Sequence, residues 1–282
     1  MAINIHFFTK DKEFDYSKLL EYFDAQEDFD VYYTDDYVEA ICSDDKFNFQ
    51  YRYLITRHSR VTKIYDLNPE YVNINFLLEM PTLIPSFLAK EILINAQALC
   101  KTFGFGVYHD SFSDVINFNV VDMLDLFDNM RRQYIENYGL QGKILLEGDK
   151  LDVLFKYERS VDTIKNGLGE DVAVNNCFPV VNHVNNTTGI SYRFKLGEAT
   201  VIPPYIDYLY IDTEDGTFLV SKKAFEKCFG RRIDSIDGYL PDLHIIKPRN
   251  AKALKGEAKK IQRISIDGSS FIPLNLCDVI EA

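Results

Sequence analysis

Alternation with a period of two is the clearest pattern along this chain. Phe47, Phe49, Tyr51, Tyr53 and Ile55 alternate with Asn48, Gln50, Arg52, Leu54 and Thr56. A strand with one dry and one wet face has this period, whereas strands of a parallel sheet buried on both sides read as unbroken apolar runs. Val72, Ile74, Phe76 and Leu78 repeat it against Asn73, Asn75, Leu77 and Glu79. The spacing predicts that Phe49, Tyr51 and Tyr53 face a core, with Asn48, Gln50 and Arg52 facing solvent or a partner. Residues 3–8 alternate in the same way. Residues 29–43 read as two strands around a turn at Asp35-Asp36, and Val61 to Tyr65 and Phe105 to His109 as further short strands.

A period near 3.6 appears three times in the first half. Asp15 is placed to cap a short helix carrying Leu19, Leu20 and Phe23. Leu88, Ile92, Ala96, Leu99 and Phe103 form the stripe of a longer helix, with Pro85 near its start and Gly104 just past its end. Asn119 then caps a second long helix, striped by Val120, Leu124, Phe127, Met130, Tyr134 and Tyr138 and closed by Gly139. This half therefore reads as an antiparallel meander of about five strands with helices laid on one face.

After Gly139-Leu-Gln-Gly142 the pattern weakens, and residues 143–175 carry no clear period; Lys165 to Glu170 reads as a loop. From Phe178 it sharpens again. Pro179 to Val184 and Ile190 to Leu196 flank the turn Asn185-Asn-Thr-Thr-Gly189, a hairpin signal. Residues 205–211 follow Pro203-Pro204 as a strand, and Thr217 to Val220 as another. Ser221 is placed to cap a helix closed by Gly230; Leu243 to Ile246 is strand-like, 250–262 reads as a helix weakened by Gly256, and Ile264 to Ile266 and Phe271 to Leu276 close the sheet. The fold class that follows is α+β in two domains. Residues 1–139 form an acidic, mainly antiparallel sheet with helices on one face, and 143–282 a smaller α+β domain.

Composition is ordinary for a globular chain of 282 residues, with 46% hydrophobic and 26% charged positions. No apolar run reaches the roughly 18 residues of a membrane span, and the first residues lack the form of a secretory leader. A cytoplasmic protein with no membrane partner is expected. Five cysteines lie far apart, without Cys-x-x-Cys spacing.

Charge changes the picture more. Residues 1–139 hold 12 Lys/Arg against 23 Asp/Glu, while 140–282 hold 19 against 20. The acidic field of the first domain repels phosphate backbones and steers a basic protein toward it. Within the second domain, residues 222–263 hold 12 Lys/Arg against five acids. Lys252, Lys255, Lys259 and Arg263 are spaced by three or four, so on one helix they would share a face, for an anion or for docking onto an acidic domain. Nucleic acid is thus a poor partner for 1–139 and an open one for 222–263.

Candidate chemistry is sparse. His6, His58, His109, His183 and His244 show no metal-ligand spacing; Gly167 and Gly169 lack the third glycine of a dinucleotide fingerprint; no nucleophile-elbow serine or phosphate loop occurs. Asp28, Asp30, Asp35, Asp36, Glu39, Asp44 and Asp45 crowd one strand–turn–strand segment without calcium-loop spacing, and read as a solvated acidic edge. Asp207 would share a strand face with Leu209 and Ile211, so it needs a partner; Arg193 in the preceding hairpin is the candidate, making Asp207 a structural or functional buried acid. No catalytic residue, metal ligand or cofactor site stands out. The sequence points to a non-enzymatic interaction protein (a regulator, an adaptor or an immunity-type factor) presenting its acidic domain to another, basic protein. A phosphate-ligand or nucleic-acid binder using 222–263, and an enzyme with no recognisable motif, are the alternatives.

Overall fold

A computed structural model describes residues 2–281, which cluster into two compact units dividing between Gly142 and Lys143. The first unit is built on β1 (Ala2–Thr9), α1 (Tyr16–Asp24), β2 (Phe29–Tyr33), β3 (Tyr37–Asp44), β4 (Phe49–Thr56), β5 (Val72–Pro81), α2 (Ser86–Phe103), β6 (Gly106–Tyr108), β7 (Ile116–Asn117) and α3 (Val120–Tyr138). Its sheet is larger than a five-strand meander. Seven strands lie in the order β2-β3-β4-β5-β1-β6-β7, every pair antiparallel, with β1 inserted between β5 and β6.

The helix ends are where their capping residues put them. The Asp15 carboxylate accepts from the Ser17 amide, and Asn119 accepts from the Val121 amide. Gly104 takes the left-handed conformation (φ 68°) that closes α2 and would strain a residue with a Cβ. Alternate residues of the strands fill an aromatic core: Phe7 stacks on Phe76 at 4.7 Å, and Tyr53 lies 5.0 Å from Phe23 and 5.7 Å from Phe76. Tyr51 and Tyr53 are buried as their alternation requires, but Phe49, at the outer end of β4, is only half-buried.

The segment 61–65 is not a strand. It forms a turn and a short 3-10 helix, Ile64–Asp66, whose Val61 and Leu67 join Phe8, Tyr108 and Val115 in a second small core. Apolar residues at 61 and 64 have helical rather than strand spacing, and over so short a stretch the two periods cannot be told apart.

The second unit contains β8 (Ile144–Leu146), α4 (Gly148–Leu168), β9 (Cys177–Asn182), β10 (Thr187–Lys195), β11 (Thr200–Ile202), β12 (Tyr208–Thr213), β13 (Gly216–Ser221), α5 (Lys222–Phe229), β14 (Asp234–Ser235), β15 (His244–Ile246), α6 (Pro248–Lys255), α7 (Ala258–Ile264), β16 (Phe271–Pro273) and β17 (Val279–Glu281). Its main sheet runs β13-β12-β10-β9-β16 and is mixed, since β10 and β12 are parallel. Smaller sheets are β11-β15-β14 and the parallel pair β17-β8.

Three expectations change here. Residues 143–175, without a clear period in the sequence, hold the longest helix, α4, which also takes up most of the expected loop at 165–170. Residues 250–262 form two helices, with Gly256 and Glu257 between them, and Ile264 ends α7 rather than starting a strand. The hairpin of β9 and β10 is as expected. Gly189 within it admits no side chain, because a Cβ there would meet the Tyr208 ring at 2.8 Å and the Asp207 carboxylate at 3.1 Å.

Candidate functional site

The acidic segment of the first unit lies at the outer edge of its sheet. Among the described residues β2 pairs with β3 alone, so its outward amides and carbonyls have no strand of those residues beside them. Phe29 anchors the strand against Phe23 and Tyr51, at ring separations of 5.1 and 5.9 Å. The following residues point outward: Tyr32 is 51% and Tyr33 60% exposed. Thr34 closes the hairpin through bonds to the Tyr37 carbonyl from its amide and its hydroxyl.

The carboxylates of this region divide into two sets. Glu39 and Glu79 are largely buried and neutralised by Arg52, at 2.8 and 2.7 Å, with Arg60 adding a contact to Glu79 at 2.6 Å. Asp28, Asp30 and Asp35 are exposed and have no ion pair among the described residues, and Asp36 is reached only by the exposed Arg57 at 3.7 Å. Asp30 and Asp35, without a counter-ion among the described residues, thus flank the two exposed tyrosines along the chain. The acids were legible in the sequence as a polar edge. The tyrosines were not, because one alternate residue of a strand reads as core until its neighbours are known.

Elsewhere in this unit, His6 on β1 is buried, and burial pushes its imidazole down to about 4 against the opposing pull of Asp110. His109 is lowered by burial as well, with its Nδ1 2.8 Å from the Ser111 hydroxyl. His6 faces Tyr108, the residue before His109, in the β1–β6 pairing, a neighbourhood the sequence does not show.

In the second unit the four basic residues singled out above do not lie on one helix. Lys252 and Lys255 belong to α6, Lys259 and Arg263 to α7, so only the i, i+3 pair within α6 and the i, i+4 pair within α7 share a helix. Lys255 meets Glu214 at 3.3 Å beside a shallow cleft of about 230 Å³ lined also by Lys195, Glu198 and Asp212. Lys252, Lys259 and Arg263 are exposed, with no ion pair among the described residues. The structure adds α5 to this basic region. α5 and α7 both pack on β13 and on each other, with the Lys260 ammonium 4.8 Å from the centre of the Phe229 ring and Arg232 3.7 Å from Glu257.

Asp207 is held, but not by Arg193 and not within a strand. It directly precedes β12, where its Oδ2 accepts from the Ile190 amide at 2.9 Å and its Oδ1 meets Lys150 of α4 at 3.1 Å. Its own amide donates to the Ile190 carbonyl, and its carbonyl accepts from the Lys222 amide. Burial alone would lower the Lys150 ammonium; its bond to Asp207 and the charges of Asp207 and Glu147 outweigh that and raise it. Arg193 instead makes a two-pronged bond to Asp212 across the parallel β10–β12 pair, both contacts at 2.8 Å. That bond holds the Asp212 carboxyl below its usual range. In a parallel pair Arg193 faces Tyr210, two residues short of Asp212, a reach open to a long side chain but invisible without the register.

A fully buried carboxylate, Glu158, escaped the sequence reading. It accepts from the Cys177 amide at 2.6 Å and from the Asn176 side chain at 2.8 Å, tying α4 to the start of β9. Its charge and, foremost, burial hold the Cys177 thiol well above its usual range. Among the described residues no three His, Cys, Asp or Glu side chains gather as a metal-binding group, and no helix is long and apolar enough to cross a membrane. Neither protein-family models, nor curated proteins, nor solved structures give a match to this chain.

Proposed function

We propose that this is a cytoplasmic protein-interaction module, a regulator, adaptor or immunity-type factor, whose N-terminal unit receives a basic partner along β2. The observation that supports this is an outer strand carrying exposed Tyr32 and Tyr33 among carboxylates without counter-ions. Tyrosine gives a large contact area at small conformational cost and is enriched at the centres of protein interfaces. A free strand edge supplies backbone donors and acceptors for an extended segment. The surrounding acids select such a segment: they oppose pairing with a second, equally acidic β2 and favour one bearing Lys or Arg. Capture of partners from the source cell's lysate, with nuclease present throughout, tests the proposal. A protein retained by the wild type and lost by Tyr32→Ser/Tyr33→Ser supports it. Retention of every partner by that variant refutes it.

A further inference from the structure

We infer that the surface formed by α5 and α7 binds the phosphodiester backbone of a double-stranded nucleic acid. The inference is independent of the edge strand β2, which lies in the other unit.

The charge balance of 222–263 becomes sharper once contacts are known. Lys222, Arg232, Lys247 and Lys255 are each spent on an acid: Glu226, Glu257, Asp234 and Glu214. The other eight cations are exposed and have no ion pair among the described residues. Six of them belong to the joined helices: Lys223 and Lys227 on α5, Arg231 in the turn that follows it, and Lys259, Lys260 and Arg263 on α7. Lys223/Lys227 and Lys259/Arg263 are i, i+4 pairs of like charge, which destabilise a helix by a few tenths of a kcal/mol each. Solubility does not require that concentration of one sign, and an anion laid across both helices relieves it.

What the surface lacks identifies the anion. None of the large exposed hydrophobic residues falls in 222–263; Phe225, Phe229, Leu254 and Ile261 are turned into the unit. A protein interface is centred on apolar or aromatic anchors, and a membrane-surface helix inserts an exposed apolar face. Single-stranded nucleic acid is held by stacking on exposed aromatic rings. A duplex backbone asks for charge alone, and lysines and arginines on adjoining helices supply it.

The test uses the full chain and a fluorescent 20-base-pair duplex of arbitrary sequence, as DNA and as RNA, by anisotropy at 50 and 200 mM salt. For three to five phosphate contacts, affinity falls roughly 30- to 500-fold over that range. Lys223→Gln/Lys227→Gln/Arg231→Gln and Lys259→Gln/Arg263→Gln should each weaken binding at least tenfold and flatten the salt dependence, with unchanged melting. Lys260 is kept, because its ammonium packs over Phe229. DNA and RNA binding alike support the inference. It is overturned by no duplex binding at 50 mM, by duplex binding that neither variant weakens, by single strands binding more tightly than duplexes, or by anionic vesicles binding where duplexes do not.

Discussion

Acid should cost this fold stability well before its carboxylates titrate, and His6 is the reason. Its imidazole is held near 4 in the folded state, against 6.5 when free. The neutral form is therefore the one the fold accepts, and burial is the main cause. Asp110 opposes the shift, while His109 and Arg60 add to it and Glu79 opposes it more weakly. Because the folded value lies below the unfolded one, this contribution is complete above pH 6.5 and is lost as the pH falls toward 4. A difference of about 2.5 pH units corresponds to about 3 kcal/mol in full, and about 2 kcal/mol of that is lost by pH 5. Chemical denaturation from pH 7.5 to 5 measures it. His6→Gln removes the titration, so the wild type should lose about 2 kcal/mol more than the variant over that range. Parallel pH profiles would refute the reasoning and would mean that the folded protein accommodates a charged His6.

Three other outcomes follow from the packing. Residues 1–142 expressed alone should melt cooperatively, and limited proteolysis of the full chain should enter at 139–143 rather than at 165–168, which α4 holds; an aggregated, non-cooperative fragment would contradict this. Phe76→Ala should cost about 3–5 kcal/mol in urea melts, as emptying a buried phenylalanine site does, whereas Phe49→Ala, at a half-buried position, should cost less than about 2. In double-mutant cycles Asp207 should couple to Lys150 by about 0.5–1 kcal/mol and to Arg193 not at all; coupling to Arg193 would mean that the two acids have exchanged partners.

How much the sequence disclosed depended on whether a residue's role was local. Asp15, Asn119, Gly104 and Ser221 act within one turn of their helices, and each was legible together with the element it bounds. The alternation of β4 and β5 was legible because one face is dry over many residues, although the position of β1 between β5 and β6 depends on pairing across the chain. The helix α4 was obscured by the residue that matters most to it. Glu158 occupies a stripe position between Leu154, Phe155 and Val161, so the apolar period breaks where a buried acid bonds β9. Read as an acid on an apolar face, it would have been the signal.

The candidate surfaces divide along the same line. Net charge located both, since charge needs no partner to be counted. The exposure and arrangement of either surface are set by tertiary packing. In the first unit that means the outer position of β2 and the exposure of Tyr32 and Tyr33. In the second it means the joining of α5 to α7, with α6 ended before Gly256. Asp207 followed the rule that an acid beside apolar residues must be paired, but the choice of Lys150 over Arg193 was settled by a helix more than 50 residues away in sequence.

Amide hydrogen exchange of the full chain, alone and with the partner retained in the capture experiment, tests the central claim most directly. If a basic segment joins the sheet, the outward amides of Phe29–Tyr33 should slow by at least tenfold on binding, while the amides of 222–263 remain unchanged. Protection confined to the second unit, or none at β2 under saturating partner, would contradict the account.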